Sequence, residues 1–120
     1  MIAGFVNQDL EPIVPVAILD INGYRWRREV VVDTGFDSDL TLGVEFIGQL
    51  GFTPAGQTEM TLADGQIVKC NFYVATVIWN GDYRGVYVME SENQFLLGTN
   101  LFQGSTLTVQ MWEGGDVVID

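Results

Sequence analysis

The chain has 120 residues, 48 % of them apolar, and sixteen acids against five bases give a net charge of −11. That is long enough for one core and too apolar for disorder, and the acidity excludes nucleic acid and anionic membrane, which need a basic footprint. No histidine is present, which removes Ser-His-Asp and Cys-His mechanisms and most zinc sites and leaves carboxylates, hydroxyls and Lys69 to carry any catalysis. Residues 1–120 are therefore expected to form one domain. The one cysteine, Cys70, rules out an internal disulfide framework and fits a reducing compartment. Met1 to Leu10 lacks the basic and apolar segments of a secretion signal, and no apolar run is long enough to span a bilayer. A cytoplasmic location without membrane contact is the expectation.

In chain order, residues 2–7 read as a short strand. Pro12 and Pro15 bound the next apolar segment, so its early part is expected at an edge, with a strand from Val14 to Asp20. Asn22-Gly23 is the strongest hairpin signal in the sequence. The return strand, Tyr24 to Asp33, puts Tyr24, Trp26, Arg28, Val30 and Val32 on one face. Its charges lie near the turn and its valines near Asp33, so the hairpin is expected to project at the turn and to be buried at the acid. Arg25, Arg27 and Arg28 are read as solvated, and Trp26 as a possible partner contact.

Val30-Val31-Val32 is a buried strand that ends on Asp33-Thr34-Gly35. A carboxylate at such a place is costly unless it is paired or hydrogen-bonded, which singles out Asp33. A short strand, Leu40-Thr41-Leu42, follows. Val44, Ile47 and Leu50 at helical spacing predict a short helix that ends at Gly51. Segments 57–63 and 66–79 flank Asp64-Gly65 as a second hairpin, and Asn80-Gly81 turns the chain into a strand over Tyr83 to Met89. After the polar loop 91–94 comes an apolar strand, Phe95-Leu96-Leu97-Gly98. Thr99 to Gln103 is expected to make one helical turn capped by Thr99 or Asn100. Alternation over 105–112 and the run Val117-Val118-Ile119 complete the chain. Short strands with turn signals about every 8–12 residues mean an all-β sandwich or barrel.

Two segments together resemble the retropepsin-like aspartic proteases. They are the apolar strand ending in Asp33-Thr34-Gly35, and Leu96-Leu97-Gly98 followed by Asn100-Leu101-Phe102. The order of elements matches over almost the whole chain, with Asp64-Gly65 where a flap tip would stand. The resemblance implies an all-β, closed retropepsin-like barrel or sandwich with one short helix and one lobe per chain. It implies an aspartic endopeptidase, a hydrolase without metal or cofactor, acting on peptide or protein substrates. One such loop on a short chain further implies a homodimer with one Asp33 from each subunit across a two-fold axis. The alternative is a catalytically silent retropepsin-like domain used for dimerisation or peptide binding.

By the same resemblance Asp33 is the catalytic residue. Thr34 would bond across the dimer, and Gly35 would let backbone approach the carboxylates. Phe36, Asp37, Asp64, Gly65, Ile67 and Leu96 are expected on the substrate side; for Phe36, Ile67 and Leu96 plain core is the alternative. Asp37 is expected to bind substrate backbone or brace the dimer, and Asp39 to be solvated. Asp37-Ser38-Asp39 does not continue as a calcium loop, since Leu42 stands where the required glycine would be. Cys70 reads as a small hydrophobe in the flap's return strand. The sequence departs from the viral pattern at Phe36, where a small residue is usual, and at Thr99, where an arginine braces the dimer. Arg84 or the Arg25–Arg28 cluster is the candidate substitute. The terminal segments 2–7 and 115–119 are expected to pair either with a second subunit or with each other.

Overall fold

The computed structural model describes residues 1–120. The strands are β1 (Ile2–Val6), β2 (Pro12–Leu19), β3 (Arg25–Val32), β4 (Leu40–Gly43), β5 (Gly56–Thr61), β6 (Ile67–Trp79), β7 (Asp82–Ser91), β8 (Leu96–Leu97), β9 (Leu107–Val109) and β10 (Asp116–Ile119); one helix, α1, covers Val44–Leu50. The strands form one sheet in the order β5-β6-β7-β4-β8-β3-β2-β1-β10-β9. A further pairing of β6 with β2, Ala17 against Ile78 and Ile18 against Val77, closes β2, β3, β8, β4, β7 and β6 into a barrel. The molecule is all-β with one short helix.

The barrel holds a cluster of 21 buried apolar residues, among them Val14, Val16, Val30, Val32, Leu40, Leu42, Val77, Val88 and Leu97. These sit on alternate positions of their strands, so one face of each strand fills the interior. Along β3 exposure falls from Arg25 towards Val32, as the charge pattern predicts. The α1 helix turns Phe46, Ile47 and Leu50 inward and leaves Val44 exposed, so Phe46 takes the inward place expected of Val44.

Pro12 and Pro15 lie inside β2 rather than before it. Next to Pro15 the outer neighbour of β2 changes, from β1 at Pro12 and Ile13 to β6 at Ala17 and Ile18. A missing N–H at this changeover breaks neither ladder. The tight two-residue turn falls at Asn80-Gly81, where both residues have positive φ (52° and 88°) between the paired Trp79 and Asp82. That is the type I′ geometry that Asn-Gly favours. The Asn22-Gly23 turn is built on Asp20 instead. Its carboxylate accepts the backbone N–H of Asn22 and Tyr24 and the indole N–H of Trp26, each at 2.9 Å.

The Trp26 bond, opposed by desolvation and aided by the backbone donors of Tyr24, Asn22 and Gly23, lowers the Asp20 carboxyl below its ordinary value of 3.8. A depressed carboxyl stabilises the fold above its unfolded pKa, and the contribution fades as pH falls through the folded one. The Trp26 indole N–H resonance should therefore shift in acid with a midpoint below 3.8. Asp20→Asn should abolish that transition.

Two further expectations change, and a third is resolved between its two alternatives. The segment 99–104 forms successive turns, not a helical turn. Of the alternating stretch 105–112 only Leu107–Val109 is strand, with Met111 and Trp112 exposed. The terminal strands pair with each other, Ile2 opposite Ile119 and Gly4 opposite Val117. A Cβ on Gly4 would lie 1.7 Å from the Ile13 carbonyl oxygen, so β1 is pressed against β2 as well.

Candidate active site

The β3 strand delivers Asp33 to the end of a parallel pair with β8, in which Val31 faces Leu96 and Val32 faces Leu97. The ladder runs one step past both strands: Asp33 N–H donates to the Leu97 carbonyl at 2.9 Å. The chain then folds back on the acid. Gly35 N–H donates to Asp33 Oδ1 at 2.9 Å, and Phe36 N–H to the Asp33 carbonyl at 3.2 Å. Asp33 is half-buried, and Thr34 and Gly35 are exposed. The carboxylate is thus oriented by its own loop and still open to solvent.

Behind the loop, Gly98 allows a close crossing. A Cβ there would stand 2.0 Å from the Ser38 carbonyl oxygen and 2.8 Å from the Phe36 ring. The Phe36 ring therefore lies over Gly98. The crossing is stitched by Gly98 N–H to Asp39 O at 2.8 Å, Thr99 N–H to Phe36 O at 2.8 Å and Asn100 N–H to Ser38 O at 3.2 Å.

Asp39 is 4 % exposed, which corrects the expectation that it is solvated. Its Oδ1 accepts Asn100 Nδ2 at 2.8 Å and its Oδ2 accepts Tyr87 N–H at 2.9 Å. One carboxylate therefore ties the start of β4 to β7 and to the segment after β8. The sequence carried a signal for it, since Asp39 abuts the apolar strand Leu40-Thr41-Leu42 as Asp33 abuts its valines. Arg84, a candidate brace for Asp37, donates to the carbonyls of Leu101 (2.7 Å) and Asn100 (3.1 Å). It satisfies turn acceptors of its own chain.

Asp37 is exposed and lines a shallow groove of about 440 Å³ with Thr99, Asn100, Phe102, Gln103, Gly104 and Ser105. Leu96 is half-buried between β3 and β4. Asp64 and Gly65 form the tip of the β5–β6 hairpin, where Asp64 Oδ1 accepts Gln66 N–H at 3.0 Å. Ile67 opens β6 at 65 % exposure, so it is not core. Asp33, Thr34, Gly35, Phe36 and Leu96 thus come together around one crossing, with Asp37 on its outer side. Asp64, Gly65 and Ile67 stand apart on the hairpin arm.

Two readings on neighbouring strands are affected. Arg28 is not simply solvated: its guanidinium lies 3.9 Å from the Phe95 ring centroid and 5.2 Å from that of Phe46. Trp26 meets Phe46 edge-on, so much of its surface is used within the chain. Burial, and then the Glu90 carboxylate, push the Cys70 thiol up, which keeps it protonated and poorly nucleophilic. Burial, and then a 2.8 Å bond to Glu90, likewise raise Tyr73.

A closed barrel whose Asp-Thr-Gly loop is backed by an apolar-apolar-Gly strand is a retropepsin-like fold. Solved structures agree. EIAV protease, complexed with an inhibitor, superposes with a TM-score of 0.62 at 21 % identity, over 81 % of this chain and 89 % of that one. A retropepsin-like aspartic protease from Rickettsia conorii superposes with a TM-score of 0.59 at 17 % identity, over 96 % of this chain and 86 % of the other. No protein-family model and no curated protein matches the sequence. No helix is long and apolar enough to cross a membrane.

Proposed function

We propose that residues 1–120 act as one aspartic endopeptidase domain, that two copies pair about a two-fold axis, and that each contributes Asp33 to a shared carboxylate pair. Two carboxylates at one site do not both ionise cheaply, as is well known of aspartic-protease dyads, so the pair holds one proton over a wide pH range. The ionised member takes a proton from water as the water attacks the peptide carbonyl, and the protonated member donates to the carbonyl oxygen. The diol then collapses: the C–N bond breaks as the first carboxyl passes its proton to the leaving nitrogen, and the second carboxylate recovers a proton from the diol hydroxyl. Phe36 and Leu96 flank the acid on the substrate side, and Asp37 meets substrate backbone or the second copy. Asp64, Gly65 and Ile67 approach the substrate from the hairpin arm. No metal or cofactor enters, and a cytoplasmic setting fits the lone cysteine.

The observation that carries this reading is the state of Asp33, half-buried, solvent-accessible and aimed by the Gly35 N–H at 2.9 Å on a loop clamped to β8. Asp39, by contrast, has both oxygens occupied within the chain. The test is cleavage of a peptide library from acidic to neutral pH. Asp33→Asn should reduce cleavage by about a thousandfold or more while the circular dichroism spectrum is unchanged. Cleavage that survives the substitution rules the mechanism out. A chain that binds peptides but cleaves none, with or without Asp33, is the silent alternative.

A further inference from the structure

The two-subunit reading above leaves open which surface joins the copies, because the terminal strands pair within one chain. We propose that the free edge of β9 is that surface, and that Leu107–Val109 pairs antiparallel with the same strand of a second copy. β9 ends the sheet, bonded to β10 on one side only. Thr106 and Asp120 exchange both backbone bonds (2.8 and 3.0 Å), and Gln110 N–H donates to Asp116 O at 2.9 Å. In an antiparallel ladder the N–H and C=O of a residue point the same way and alternate along the strand. Thr106, Thr108 and Gln110 therefore face β10, and both groups of Leu107 and Val109 face outward.

Two outward residues flanking one inward residue make the edge self-complementary. A two-fold axis at Thr108 sets Leu107 opposite Val109 of the second copy, twice, and makes four backbone hydrogen bonds. The two Thr108 residues then form the non-hydrogen-bonded pair on the axis, with Cα atoms about 4.5 Å apart. Charge argues for the same occupant. In a chain of net charge −11 no charged residue occurs from Asn93 to Trp112, so here two acidic copies meet without apposing carboxylates. β9 is short, three residues, but has none of the lysine, proline or bulge that also keep exposed edges apart. The opposite edge, β5, carries Glu59.

The uncharged segment also leads from the active-site crossing to the edge, through Gly98, Thr99 and the turns up to Ser105. The exposed Met111 and Trp112 follow β9. Continuing the register carries those of the second copy towards Ser105 and Gly104, at the end of the groove that Asp37 lines. The paired edge thus meets the groove at its Ser105 end, with Asp37 in the same groove.

The test is a charge swap at Thr108, whose side chain is exposed. Thr108→Glu and Thr108→Lys should each keep the wild-type melting curve at concentrations where wild type is monomeric, yet raise the dimer dissociation constant in sedimentation equilibrium by more than about tenfold. An equimolar mixture should restore both dimer and cleavage. In wild type, the Leu107 and Val109 amides should gain protection from hydrogen exchange only at concentrations where dimer forms. Variants that dimerise like wild type, a mixture no better than its components, amides unchanged on dimerisation, or a chain monomeric at every concentration would each overturn the proposal. Asp33→Asn should dimerise normally. A dimer that obeys the Thr108 pattern but cleaves nothing refutes the endopeptidase reading and leaves this interface standing.

Discussion

Gly98→Ala is expected to lower folding stability by about 3–5 kcal/mol, enough to unfold much of a domain of ordinary stability at 37 °C. The added Cβ would stand 2.0 Å from the Ser38 carbonyl oxygen and 2.8 Å from its carbon. Backbone that already carries hydrogen bonds has no room to yield, so the segment after β8 must lift off the loop. Doing so strains or breaks the bonds from Gly98, Thr99 and Asn100 to Asp39, Phe36 and Ser38, at about 1 kcal/mol each. The Phe36 ring, 2.8 Å from the same Cβ, must move as well. Urea titration measures the loss. Cleavage assayed in the cold, on protein that is still folded, should fall further than the folded fraction, because Asp33 hangs from the same strand through Leu97 O. A variant as stable as wild type would mean that the crossing is looser than 2.0 Å implies.

The parts of this crossing that the sequence displays share one property: a residue whose chemistry contradicts its surroundings. Asp33 at the end of three valines, and Gly98 at the end of Phe95-Leu96-Leu97, are such contradictions, and both mark the site. What stays hidden depends on which distant element arrives. Arg28 reads as one more exposed charge because its partners, Phe46 and Phe95, come from the helix and from a loop far along the chain. Closure of the barrel rests on the pairing of Ala17 and Ile18 with Ile78 and Val77, and no local pattern distinguishes that contact from continued pairing of β2 with β1. The terminal strands have the same apolar alternation whether their partner is their own chain or a copy. Geometry decides, and it selects their own chain. That choice removes the terminal segments as the natural dimer sheet and moves the question of assembly to β9.

Asp39→Ala is expected to cost about 2–3 kcal/mol, more than an exposed acid at a turn could contribute. Asp39 resembles Asp33 in sequence, an acid against an apolar strand, but its two oxygens are spent on Asn100 Nδ2 and Tyr87 N–H. Hydrogen bonds to a charged acceptor contribute about 1.5–3 kcal/mol each, and water that enters beside the exposed Asn100 recovers part of the loss. Asp39→Asn should be little better, because an amide offers one acceptor oxygen to two donors and turns an NH2 group towards the other. Asn100→Ala alone should cost less. A double-mutant cycle between the two positions should show a coupling of about 1 kcal/mol. Denaturant titration of the three variants settles the ranking, and an Asn variant equal to wild type would show that one bond suffices. The consequence reaches the proposed active site, because Asp39 holds β7 and the segment after β8 against the start of β4. With that tie cut, the crossing behind Asp33 rests on its backbone bonds and the 3.3 Å bond from the Thr99 hydroxyl to Phe36 O, and cleavage per folded molecule should fall with it.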